Sequence, residues 1–214
     1  MLSACSPNKI EQGEISYSVT YPHADVSGFV MSLLPDKMSL VFKGTKVMTT
    51  IKRGKIFTTQ IITDEADNSI EMRLVFGNEY AIYTVLKPGD IDNLRNTQPD
   101  YQITPTEDTD SLSGLFGKRY TVTCASDTIA NQDAWFTEDL APQDAYWFTS
   151  YSSIKGVPLQ YDFERYGVFM RIEISKFDKK EIKDSDFERD KKLTEVSFTE
   201  YEAIAQELFD ALMK

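Results

Sequence analysis

The chain has one histidine and two cysteines in 214 residues, and this scarcity removes much of the usual catalytic chemistry. A Ser-His-Asp or Cys-His pair would have to use His23, and no nucleophile elbow accompanies it. No second histidine exists to share a zinc ion, and the cysteines form no cluster. Glycine-rich phosphate loops are missing. So is a calcium loop of spaced acids around a central glycine. Nothing points to a cofactor. Basic residues are outnumbered too: 23 lysines and arginines face 34 aspartates and glutamates, for a formal net charge of −11. With no basic stripe to offset it, that charge repels phosphate backbones and argues against nucleic acid as a partner. It disfavours broad attraction to anionic headgroups as well, and its plain use is solubility. No run approaches the ~20 apolar residues of a membrane-spanning helix.

Carboxylates are plentiful, so counting alone does not remove a glycosidase-type pair. Asp162, Glu164 and Glu173 fall on strand-like segments near aromatic residues. Alternation assigns such acids to the wet face of a sheet. The sequence therefore reads as a non-enzyme.

What is present is a repeated period-2 alternation, the mark of strands with one buried face. In residues 13–21, Ile15, Tyr17, Val19 and Tyr21 point one way and Glu14, Ser16, Ser18 and Thr20 the other. Similar segments follow at 37–43, 45–53, 56–63, 69–76 and 79–86, with Gly44, Gly54 and Gly77-Asn78 marking turns. Tight turns between consecutive strands require antiparallel pairing, so residues 37–86 read as a five-stranded meander. Strands resume at 118–125 and 133–137, and a hairpin spans 158–177 around Gly167. The polar stretch 87–112, with Pro88, Pro99 and Pro105, reads as mostly loop, and the charge run 176–192 as a solvated loop.

Two helices are expected. Phe29, Val30, Leu33 and Leu34 sit at helical spacing before Pro35, giving a short helix over 26–34, most regular over 28–34. At the C-terminus, Thr199 and Glu202 suggest a capping box. An apolar stripe from Tyr201 through Leu208 and Phe209 to Met213 then gives a helix over 199–213 that packs on the sheet. With 41% apolar residues a core is feasible. The expected fold is α+β, mainly β: one domain over 13–214 built on a single curved antiparallel sheet.

The N-terminus carries Leu2-Ser3-Ala4-Cys5, which reads as a lipobox, where a signal peptidase cuts before the cysteine and lipid is attached to it. The apolar segment that precedes such a box is not part of the 214 residues. Cys5 is accordingly the expected lipid attachment site. Residues 1–12 become box and tether, and the location becomes the cell envelope, periplasmic or exposed on the outer membrane. The second cysteine, Cys124, lies in phase with Tyr120 and Val122 and reads as a small buried hydrophobe.

Aromatic residues crowd one stretch: Trp135-Phe136, then Tyr146-Trp147-Phe148 and Tyr151. Such rings fill ordinary cores, and they also stack on sugars or line apolar pockets. Phe29, Leu33, Trp135, Tyr146, Trp147 and Phe148 are the candidate ligand-contacting residues, with core packing as the competing account of each.

The phrases L-S-A-C, G-E-I-S-Y-S-V-T-Y, L-P-D-K-M-S-L-V-F-K-G, K-R-Y-T-V-T, W-F-T-E-D-L-A-P and G-V-P-L-Q-Y-D-F-E resemble a Bacteroidetes-type lipoprotein family of unknown function. The likeness extends over roughly residues 5–187. Where similar sequences carry a Gly-Tyr-Cys-like phrase, Leu115-Phe116-Gly117 stands here, so no role for that cysteine carries over. Such proteins are similar in architecture to lipoprotein carriers of the LolA and LolB type. The resemblance implies a half-open barrel, helices over its concave face, and an acyl chain or other apolar ligand inside. The alternative is a module with a filled core that docks a protein partner at the envelope.

Overall fold

The computed structural model describes residues 9–22, 34–124 and 132–212. Cys5, His23, Phe29 and Leu33 lie outside them, as does most of the helix expected over 26–34. Leu34, the described residue of that segment, is buried.

Twelve strands and two α-helices are found among the described residues: β1 (Gln12–Thr20), β2 (Lys37–Lys43), β3 (Lys46–Arg53), β4 (Phe57–Asp64), β5 (Ser69–Phe76), β6 (Tyr80–Val85), α1 (Pro88–Asn96), β7 (Tyr101–Leu112), β8 (Leu115–Cys124), β9 (Gln132–Thr137), β10 (Val157–Arg165), β11 (Val168–Asp178), β12 (Thr194–Glu195) and α2 (Phe198–Leu212). All twelve strands join one sheet in the order β12-β6-β5-β4-β3-β2-β1-β11-β10-β9-β8-β7. Its two ends do not pair, so the sheet is open. The expected meander is β2 to β6, antiparallel throughout. Strands far apart in sequence meet mid-sheet, where β1 pairs with both β2 and β11. One pairing is parallel: the short β12 lies along β6.

The sheet curls strongly. Tyr146 hydrogen-bonds the Tyr161 hydroxyl on β10 and also comes close to Thr49 on β3. On a flat sheet those strands, with β2, β1 and β11 between them, would stand about 19 Å apart at ordinary strand spacing. A single side chain can bridge them only if the sheet folds round it. The concave side is filled by residues 138–156, an irregular segment that buries Leu140, Tyr146, Tyr151 and Ile154. Glu65 anchors it by accepting the backbone N–H groups of Gln143 and Asp144. Inside, each tyrosine hydroxyl has a partner: Tyr17 donates to the Pro158 carbonyl at 2.7 Å and Tyr151 to that of Asp162 at 2.7 Å. Such pairing is what makes a polar atom tolerable in a core.

Four expectations need correction. The stretch 87–112 is not mainly loop. Pro88 occupies the first turn of α1, where its missing N–H costs nothing, while the Asp90 carboxylate accepts the Lys87 N–H. The rest is β7, an edge strand exposed along most of its length. The run 176–192 is not wholly solvated: β11 extends to Asp178, and Ile182 and Phe187 are buried against Met48 and Ile62 on the sheet's other face. The cap of α2 is Ser197, whose hydroxyl accepts the Glu200 N–H, in place of Thr199. Asp162 is not on a wet face, being 1% exposed and bonded twice by Arg171 at 2.9 and 2.8 Å.

Candidate functional site

The hairpin joining β10 to β11 turns at Tyr166 and Gly167, both with positive φ (55° and 73°). Glycine accepts that backbone freely, but tyrosine does not. The strained conformation fixes the Tyr166 ring between two neighbours. The Arg165 guanidinium lies over it at 4.8 Å, and Phe209 of α2 stacks against it at 5.0 Å. Arg165 donates to Glu202 Oε1 at 2.6 Å, and the Tyr166 hydroxyl donates to the same oxygen at 2.9 Å. Burial is the largest influence on the Tyr166 hydroxyl and holds its pKa well above the usual value. It stays a neutral donor at any physiological pH.

Two spaces meet at this cluster. One is an apolar slot of about 60 Å³ between the sheet and α2, with Ile51, Ile61, Met72, Phe163, Met170 and Phe209 in its wall and Tyr21 and Pro35 at its side. The other is an open polar groove of about 680 Å³ running past Thr97, Gln98, Cys124, Glu164, Glu202 and Gln206. Arg165 and Tyr166 belong to both. The amphipathic pattern of α2 produces this arrangement. Tyr201, Ala205 and Leu208 pack into the core, Phe209 closes the slot, and Glu202 and Gln206 border the groove.

The aromatic residues singled out from sequence are not gathered in one cavity. Trp135 is half-buried beside Gly117 on β8. Tyr146 is buried in the core, its hydroxyl pushed up to about 12 by desolvation. Phe148 is buried in an apolar cluster with Ile91 and Leu94 of α1 and Tyr201 of α2, and Trp147 packs against it. There the Arg95 guanidinium covers the Trp147 ring at 5.3 Å. The Trp147 indole N–H is buried without a partner among the described residues. None of these four lines the slot. Cys124 is half-buried at the groove, not a core residue. Arg165, Tyr166 and Glu202 were missed. A signal existed: Tyr-Gly stands at a hairpin turn that ordinarily takes Asn-Gly.

Among the described residues no group of three or more potential ligands could hold a metal ion, and no helix is long and apolar enough to cross a membrane.

No family model matches the chain, and no curated protein does. Solved structures do. The chain resembles part of PNGF-II. One structure of that protein superposes with a TM-score of 0.56 over 91% of this chain, at 15% identity. A second, in another space group, gives 0.55 over 90%, also at 15% identity. The match takes up 33% of the first PNGF-II chain and 32% of the second. This chain therefore spans about a third of PNGF-II, and what the two share is the fold.

Proposed function

We propose that the chain is a non-catalytic lipoprotein of the bacterial cell envelope, anchored through lipid on Cys5, that binds a partly apolar small molecule between its curled sheet and α2. In this reading it is a relative in architecture of LolA- and LolB-type carriers. The observation that supports it best is that slot and groove abut, with Arg165 and Tyr166 in the lining of both. The slot alone, at about 60 Å³, is too small for a ligand, since small-molecule sites run to about 300–1,000 Å³. The groove, at about 680 Å³, falls in that range. A ligand with its polar end in the groove and its apolar end under Phe209 uses both. A longer tail requires α2 to lift away from the sheet.

Native mass spectrometry after mild extraction tests the proposal, with uptake of a fluorescent alkyl probe as a second readout. Co-purified lipid and saturable uptake, weakened about tenfold by Phe209→Ala, are expected. A clean apo mass with no saturable uptake would end the proposal. The anchor is tested separately by labelling with a clickable fatty acid, which should mark the wild type and spare Cys5→Ala.

The filled interior favours a second reading, a module that docks a protein partner at the envelope. Tyr17, Phe136 and Tyr151 are almost fully buried where a carrier would hold its cargo. The likeness to one third of a longer protein suits a module. Crosslinking in cells should then trap one defined partner, and this reading fails if none is caught.

A further inference from the structure

We infer that the molecule taken at this site has a donor-rich polar head without negative charge, a hydroxyl- or amine-bearing amphiphile and not a fatty acid or phosphate ester. The inference rests on the binding reading above and names its ligand class. Among the described residues lining the groove, the charged groups are two carboxylates, Glu164 and Glu202, and one guanidinium, Arg165. Arg165 is already engaged. Its side chain is 12% exposed and its charge is answered by Glu202 at 2.6 Å. Glu164 is half-buried and has no ion pair among the described residues. An anionic head would find no unpaired cation here, and the strong contacts to carboxylate or phosphate are charge-assisted ones.

Of the uncharged side-chain donors, the Gln98 amide has no bond among the described residues, and two others are engaged. The Thr97 hydroxyl donates to the Leu94 carbonyl and the Gln206 amide to Asp210 at 2.8 Å. Beyond that one neutral amide the groove offers acceptors, two of them carboxylates, on a protein of net charge −11. Hydroxyls and ammonium groups supply the missing donors.

Three probes with matched twelve-carbon tails test this below their micelle concentrations: dodecyl maltoside, dodecylamine and laurate, each read by displacement of the fluorescent probe. Dodecyl maltoside and dodecylamine are expected to bind, and laurate to bind at least about tenfold more weakly. Glu202→Gln releases Arg165 and should narrow that gap about tenfold, with thermal melting as the check that the variant folds. Glu164→Gln, which breaks no ion pair, should weaken dodecylamine more than dodecyl maltoside, since the first loses a charge partner and the second only a stronger acceptor. Laurate binding as tightly as the others to the wild type overturns the inference and leaves the binding reading standing. So does a gap that neither variant changes. Failure of all three probes on the wild type overturns the binding reading itself.

Discussion

Gly156 shows how much one position can depend on its missing side chain. Its φ is +96°, and a Cβ there would lie 2.0 Å from the Thr137 carbonyl oxygen. Neither atom can yield, because Thr137 is on β9 and Gly156 leads into β10. Gly156→Ala should cost about 3 kcal/mol or more from overlap and backbone strain together. Gly77→Ala meets open space at φ +51° and should cost about 1 kcal/mol. Urea midpoints of the two variants check the contrast, and equal losses would contradict it. A second test concerns Asp162, buried on β10 with Arg171 as its ion-pair partner. Arg171→Ala strands a carboxylate in the core and should cost about 3 kcal/mol. Asp162→Asn leaves a half-exposed arginine that water can serve, and by urea denaturation it should cost clearly less.

At the scale of elements, legibility followed burial. Strands with one dry face were mostly readable to within a residue or two, β8 starting three residues earlier than expected, and β2 and β5 coincide with the sequence reading at 37–43 and 69–76. The alternation is the burial pattern itself. β7 has no dry face over most of its length, so its polar run looked like loop. α1 buries only Ile91 and Leu94 and begins on a proline, so it left almost no stripe to read. Phe209 was legible as part of the apolar stripe of α2. Arg165 and Glu202 were not, because 37 residues separate two halves of one ion pair. The strap over residues 179–193 was hidden in the same way. Arg73 on β5, itself 5% exposed, donates to the Phe187 carbonyl at 2.6 Å and to that of Glu188 at 3.1 Å. Arg189 holds Glu71 with two bonds and lies 3.4 Å over the Tyr83 ring. Burial alone would raise the Glu71 carboxyl, but hydrogen bonds and charge from Arg189 and Arg73 outweigh it and hold its pKa below the usual value. A lowered folded pKa gives stability that is present above the ordinary carboxylate value, about pH 4, and lost as pH falls through the folded value. Strap amides should therefore exchange faster below about pH 4 than the amides of β1 and β2. Glu71→Gln should expose the strap lysines to trypsin already at neutral pH. A strap as protected in that variant as in the wild type would show that the arginines are not its fastening.

For the molecule as a whole, the curled sheet sets a packing problem that tyrosine solves. A wide, open sheet must fill its concavity, and the rings of Tyr17, Tyr146, Tyr151 and Tyr161 do so. Tyr146 meets Tyr161 edge-on at 5.2 Å, and Tyr151 meets Tyr161 edge-on at 5.7 Å. Their hydroxyls reach the backbone of the strands they cover or each other, which fixes the register of residues 138–156 in the bowl. This design ties the fold to proton occupancy. Desolvation by burial raises the pKa of all four, that of Tyr146 to about 12 and the others well above the ordinary value. For groups raised on folding, the stabilisation is fully present below the unfolded pKa, about 10, and is lost as pH climbs from there through the folded values. With several such groups in one core, the loss should be cooperative. Tyrosinate absorbance should rise in two stages, exposed rings first near pH 10 and the buried set later. The second stage should coincide with collapse of the far-ultraviolet β signal. Tyr161→Phe, which removes one ionising hydroxyl and keeps the ring, should move the unfolding midpoint to higher pH while costing about 1 kcal/mol at neutral pH from the Tyr146 bond it breaks. A midpoint that stays in place, or tyrosines that ionise fully while the sheet persists, would mean that the bowl is held closed by something other than its buried rings.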